Sequence, residues 1–90
     1  MTARLRVVVT GSGADATARV LRDNGVEVVY LVDTDPARIA RTAVQEDAAA
    51  IAAADALPAI TGALADNEVR DIAVVALDEI LDWAAATAGE

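Results

Sequence analysis

LRVVVTGSGADATARVLRDNGVEVVYLVDTD, Leu5 to Asp35, decides the fold. An apolar run of Leu5 and Val7 to Val9 stops at Gly11-Ser12-Gly13, and a helical pattern follows until Asn24-Gly25. A second apolar run, Val26, Val28, Val29, Leu31 and Val32, then ends in acids. Short β-branched runs bounded by glycine read as strands, and a helix between them demands parallel pairing through a right-handed crossover. Sheets of this kind place ligands at the carboxyl ends of their strands, so Thr10 to Asp15 is the first place to look for a site.

Working outward, Asp33-Thr34-Asp35-Pro36 opens a second helix, with Thr34 or Asp35 as its cap and the proline pre-set for its first turn. Pro36, Ile39, Ala40 and Ala43 share one face of it, while Arg38, Arg41 and Gln45 point away. Ala48 to Ala54 is nearly all alanine, which favours helix, yet its place between two helices predicts a third, central strand. Asp55 is expected to cap a third helix carrying Leu57, Ile60 and Leu64. Asp71 to Ala76 is expected as a fourth strand, and Asp78 as the start of a last helix burying Ile80, Leu81, Ala84, Ala85 and Ala88. Trp83 is expected to cover one end of the sheet or an oligomer contact. The whole chain, residues 1–90, then reads as a single (βα)4 domain. This is a small flavodoxin-like (Rossmann-like) three-layer α/β sandwich with a four-stranded parallel sheet and one sheet edge exposed or covered by a partner.

Composition narrows the chemistry. The net charge of −8 argues against nucleic acid or an anionic membrane surface, since both call for a cationic face. No stretch approaches the ~20 apolar residues that span a bilayer, and no charged start precedes an apolar block, so a cytoplasmic protein is expected. All seven basic residues are arginines, and the chain has no histidine, cysteine or lysine and one serine, Ser12. That removes ordinary zinc and iron–sulfur sites, nucleophiles paired with imidazole, Schiff bases and the lysine of a phosphate-binding loop. Carboxylates, arginines, hydroxyls, Tyr30 and the backbone remain.

Three constellations stand out. Gly11-x-Gly13-x-x-Ala16, between a strand and a helix, fits the dinucleotide fingerprint, and Asp33 ends the second strand where a ribose-binding acid would sit. Ser12 and Asp15 belong to the same turn. The glycines are equally accounted for by the backbone angles a strand-to-helix turn requires. Asp55, at the end of the third strand, stands where receiver domains carry a phospho-acceptor, but their acidic pair and lysine are missing and helix capping explains it better. Asp78, Glu79 and Asp82 offer carboxylates to a divalent cation, although acids are expected in a first helical turn in any case. Tyr30 reads as core or edge packing rather than an acid catalyst.

A resemblance covers nearly the whole chain. Asp23-Asn24-Gly25-Val26-Glu27-Val28-Val29-Tyr30-Leu31, Asp35-Pro36, Ala43-Val44-Gln45-Glu46-Asp47-Ala48, Ala50-Ile51, Leu57-Pro58-Ala59-Ile60 and Asp71-Ile72-Ala73-Val74-Val75 resemble the cobalamin-binding domain of methylmalonyl-CoA mutase and related acyl-CoA mutases. The resemblance implies a flavodoxin-like fold, cobalamin at the strand ends, and a mutase large subunit as partner. It also implies an Asp-x-His-x-x-Gly loop after the first strand, whose histidine ligates cobalt, a Ser-x-Leu after the third and a Gly-Gly after the fourth. This chain has a shorter first turn without histidine, Ala54-Asp55-Ala56-Leu57, and Ala76-Leu77 at those places, with one helix in place of the fifth strand and its helix. The expectation is a related framework that has lost His-on cobalamin binding. Gly11, Ser12, Gly13, Asp15, Asp33 and Asp55 are the candidate cofactor-binding residues. The alternatives are a mutase subunit binding cobalamin base-on with its partner, and a small nucleotide-binding domain.

Overall fold

The computed structural model describes residues 5–32 and 35–88. In chain order the elements are β1 (Arg6–Thr10), α1 (Ala14–Asp23), β2 (Glu27–Leu31), α2 (Pro36–Gln45), β3 (Ala50–Ala53), α3 (Leu57–Asp66), β4 (Ala73–Ala76) and α4 (Ile80–Ala88). The strands form one parallel sheet in the order β2-β1-β3-β4, with Val8 opposite Val29 on one side and Ile51 on the other. The second crossover, β2 to β3, therefore passes back over β1, and the chain reverses its direction of winding between β1 and β3.

Alternation along the strands divides the core into two layers. Val7 and Val9 of β1 and Ala50 and Ala52 of β3 face Ala14 and Leu21 of α1 and Ile80 and Ala84 of α4. Val8 and Ile51 face Ile39 and Ala43 of α2 and Ile60 and Leu64 of α3. Both faces of the central strands are thus covered, which is why β1 reads as an unbroken apolar run. The alanines of β3 are all buried, and their small side chains let helices from both layers lie close to the sheet.

Helix ends follow local chemistry. The Asp35 carboxylate accepts the Ala37 amide at 3.1 Å and Pro36 occupies the first turn of α2, as its sequence demands. Asp33 and Thr34 lie outside the described residues. At the other end of the sheet, the Arg6 guanidinium donates through Nε and Nη2 to Glu27 Oε2 at 3.0 and 2.8 Å and through Nη1 to the Glu46 carbonyl at 2.8 Å. One side chain therefore ties β1 to β2 and to the carboxyl end of α2.

Four expectations need correction. Asp55 does not cap α3: the cap position belongs to Ala56, whose backbone is left-handed (φ 60°, ψ 24°) and whose side chain has nothing to offer the helix amides. The last helix begins at Ile80 rather than Asp78, because the Glu79 amide first closes a turn on the Ala76 carbonyl at 3.0 Å. Leu81 and Ala85 are exposed, not buried; the stripe facing the sheet is Ile80 and Ala84, one turn apart, with Trp83 packed against the same layer. The third and fourth strands are shorter than expected at their ends. Ala48 and Ala49 lead into β3 from the turn after α2, and Asp71-Ile72 bend before β4.

Candidate ligand site at the carboxyl ends of the strands

Thr10 is the last residue of β1, and the chain turns into α1 through Gly11-Ser12-Gly13, all three exposed. Gly11 has φ +102°, and a Cβ placed there would lie 2.7 Å from the Ala54 Cβ and 3.1 Å from the Ala54 amide nitrogen. Glycine is required at 11 twice over, by conformation and by the close approach of the segment after β3. Gly13 is left-handed as well (φ +87°) and stands at the cap position of α1 with open space around it. Its carbonyl takes the Thr17 amide and hydroxyl, both at 3.4 Å, and the Gly11 carbonyl takes the Ala14 amide at 3.1 Å.

The winding reversal between β1 and β3 is where open sheets of this kind hold ligands. Here Thr10, Gly11, Ala54, Asp55, Ala56 and Ile60 surround a hollow of about 20 Å³. That is room for about one water, against roughly 300–1,000 Å³ for sites that enclose small molecules. Gly11 and Asp55 meet at this hollow, and Asp55 is exposed at its rim. Ser12, Gly13 and Asp15 lie along the same turn and the start of α1.

Asp15 faces away from the hollow, toward the β2 edge. The Tyr30 phenol is raised above its ordinary pKa of 10.0, first by a hydrogen bond to the Asp15 carboxylate, then by partial desolvation and by the carboxylate's charge. Tyr30 is 40% exposed, so it is an edge residue and not part of the core. Asp15, Arg19, Arg22, Asp23 and Tyr30 border an open depression of about 370 Å³ with both signs of charge on its walls. Asp15, Arg19 and Arg22 stand at i, i+4 and i+7, a spacing that places them along one face of α1 and is the sequence signal that joins them. The Asp78, Glu79 and Asp82 group forms no cation site: among the described residues no three acidic, histidine or cysteine side chains come together for a metal.

The cofactor implied by the resemblance does not fit these residues. The chain has no histidine to stand below a cobalt, and the hollow where a nucleotide tail would enter admits about 20 Å³. Leu77, at the position of the expected Gly-Gly, packs its side chain against the core layer under α1 and α4. Among the described residues no helix is long and apolar enough to cross a membrane.

The strand order and the reversal of winding between β1 and β3 define the class: a small, flavodoxin-like, doubly wound α/β domain with four parallel strands and four helices. No family model matches the chain, and no curated protein matches it.

Proposed function

We propose that the chain is a non-catalytic accessory or interaction module built on the framework of the acyl-CoA mutase cobalamin-binding domain, with His-on cobalamin binding lost. Its partner is a protein, either an acyl-CoA mutase large subunit or a second copy of itself. One observation carries the reading: the crevice between β1 and β3 is filled by the contact of Gly11 with Ala54, at the place where a bound cofactor would have to enter. Among the described residues Asp55 is the one titratable side chain lining this hollow, and Tyr30 pairs with Asp15 at a separate depression.

Gel filtration of the chain with cobalamin, watching the corrin absorbance, tests this. The expected result is a colourless protein peak. Corrin eluting with the protein would overturn the reading and favour a base-on subunit, which mutase activity appearing only on mixing with a large subunit would establish. The left-handed backbone at Gly11 and Gly13 keeps a nucleotide reading in view, in which phosphate approaches the amides of this turn with Ser12 and Asp15 beside it. Calorimetry with NAD and ATP decides it, and no heat is expected.

A further inference from the structure

A groove of about 240 Å³ runs between α2 and α3, on the face of the sheet opposite α1 and α4. Ala37, Ala40, Arg41 and Val44 stand at i, i+3, i+4 and i+7, so one face of α2 forms its wall. Ala40 and Leu64 are buried at its floor, and Val69, half-buried, follows from the turn after α3. Val44 is 47% exposed beside it, an apolar surface left to solvent. Charge in the groove has one sign. Arg41 is the one charged side chain that lines it, and α2, PARIARTAVQ, contains no acid to pair with it along the helix. Among the described residues no carboxylate lies within ion-pair distance of Arg41. Asn67, the other polar residue of the lining, donates one side-chain N–H to the Ala63 carbonyl at 2.8 Å and has a second to offer. Asp66 and Glu68 flank Asn67 in the chain but do not line the groove.

We propose that this groove binds a short aliphatic monocarboxylate, with its hydrocarbon chain along α2 and its carboxylate on Arg41. Charge complementarity selects the head group. The groove offers a guanidinium and an amide N–H, both donors, in a protein whose net charge is −8. An amine of the same length would meet the arginine as a like charge. The apolar wall selects the tail: residues 37 to 44 rise about 10 Å along the helix, the reach of an extended chain of about six to eight carbons. A volume of about 240 Å³ lies just below the roughly 300–1,000 Å³ of sites that enclose drug-sized molecules, which suits a ligand of a few carbons and not a nucleotide or a corrin. The depression beside Tyr30 is larger, but its walls carry Asp15 and Asp23 as well as Arg19 and Arg22, so it selects no single charge.

This site goes beyond the accessory-module reading and stands without it, since it lies apart from the crevice between β1 and β3 and its test contains no cobalamin. Amide NMR of the full, isotopically labelled chain reads it, titrated with propionate, butyrate, pentanoate and hexanoate, and with hexylamine as the cationic match. The expected result is saturable shifts confined to residues 37–44 and 64–69, with affinity rising about two- to four-fold for each added CH₂. Hexylamine should leave those resonances in place. Arg41→Gln, at an exposed position, removes the charge and should weaken hexanoate at least about ten-fold. Arg38→Gln, on the same helix but outside the groove, should change the affinity less than two-fold or so, and Val44→Glu, which puts an anion on the wall, should abolish binding. Circular dichroism identifies any variant that fails to fold, and the chain-length series on the parent protein stands without the variants. No saturable shift with hexanoate overturns the proposal. So does an affinity indifferent to chain length, equal binding of hexylamine, or an Arg41→Gln variant that binds no worse than Arg38→Gln.

Discussion

Replacing Gly11 with alanine probes the closed crevice directly. The substitution carries two separable costs. Holding an L-residue at φ +102° costs about 1–2 kcal/mol, the penalty of left-handed backbone. Placing a methyl 2.7 Å from the Ala54 Cβ forces the two segments apart, and overpacking of that kind costs about 1–3 kcal/mol. The sum, about 2–5 kcal/mol, is a large share of the roughly 5–15 kcal/mol that holds a domain together. Gly13→Ala supplies the control. Its φ of +87° brings the conformational cost, but no atom lies within 4 Å of the new methyl, so only about 1–2 kcal/mol should be lost. Ala54→Gly in the Gly11→Ala background removes the overlap and should recover about 1–3 kcal/mol, which a double-mutant cycle reads as coupling. Urea unfolding followed by circular dichroism measures the parent and these variants, together with Ala54→Gly alone to complete the cycle, with stability taken from the midpoint at constant slope. Gly11→Ala no worse than Gly13→Ala, or no recovery in the double mutant, would refute the contact between Gly11 and Ala54 as the reason for glycine.

The caps make a second comparison: Asp35→Ala should lose about 1 kcal/mol, while Asp55→Ala, which caps nothing, should stay within about 0.5 kcal/mol of the parent by the same unfolding assay. Glu68 follows α3 in left-handed conformation (φ 60°), and Glu68→Gly relieves that strain and should raise stability by about 1 kcal/mol. Tyr30 is the only tyrosine, so its ionisation can be read by ultraviolet absorbance, with a midpoint above 10.0 that Asp15→Ala returns toward the ordinary value. Because the folded phenol holds its proton more tightly than the unfolded one, its contribution to stability is complete below pH 10.0. It is lost as the pH rises through the higher folded value, and Tyr30→Phe should flatten that alkaline limb of the stability profile.

The first half of the fold was legible because β-branched runs, glycine turns and a capped, proline-opened helix all agree between Leu5 and Gln45. β3 was harder. Its Ala-Ile-Ala-Ala has helix-forming propensity, and only the alternation of elements marked it as the central strand, with ends that alanine does not punctuate. Asp55 and Asp78 misled in the same way: each is a good cap in isolation, but a left-handed Ala56 and the turn onto the Ala76 carbonyl begin the helices later. At the site, the glycine turn could be read from its spacing. Its closure could not, because the Gly11 approach to Ala54 joins the ends of two strands far apart in the chain. The three bonds of Arg6 and the approach of Tyr30 to Asp15 likewise depend on register between elements, which composition and local pattern do not encode.

Amide NMR of the isotopically labelled chain during titration with cobalamin tests the filled crevice most directly, since it reads Gly11 to Asp15 and Ala54 to Ala56 one by one. The closed hollow predicts resonances that stay in place throughout. Saturable shifts confined to those two segments would contradict it.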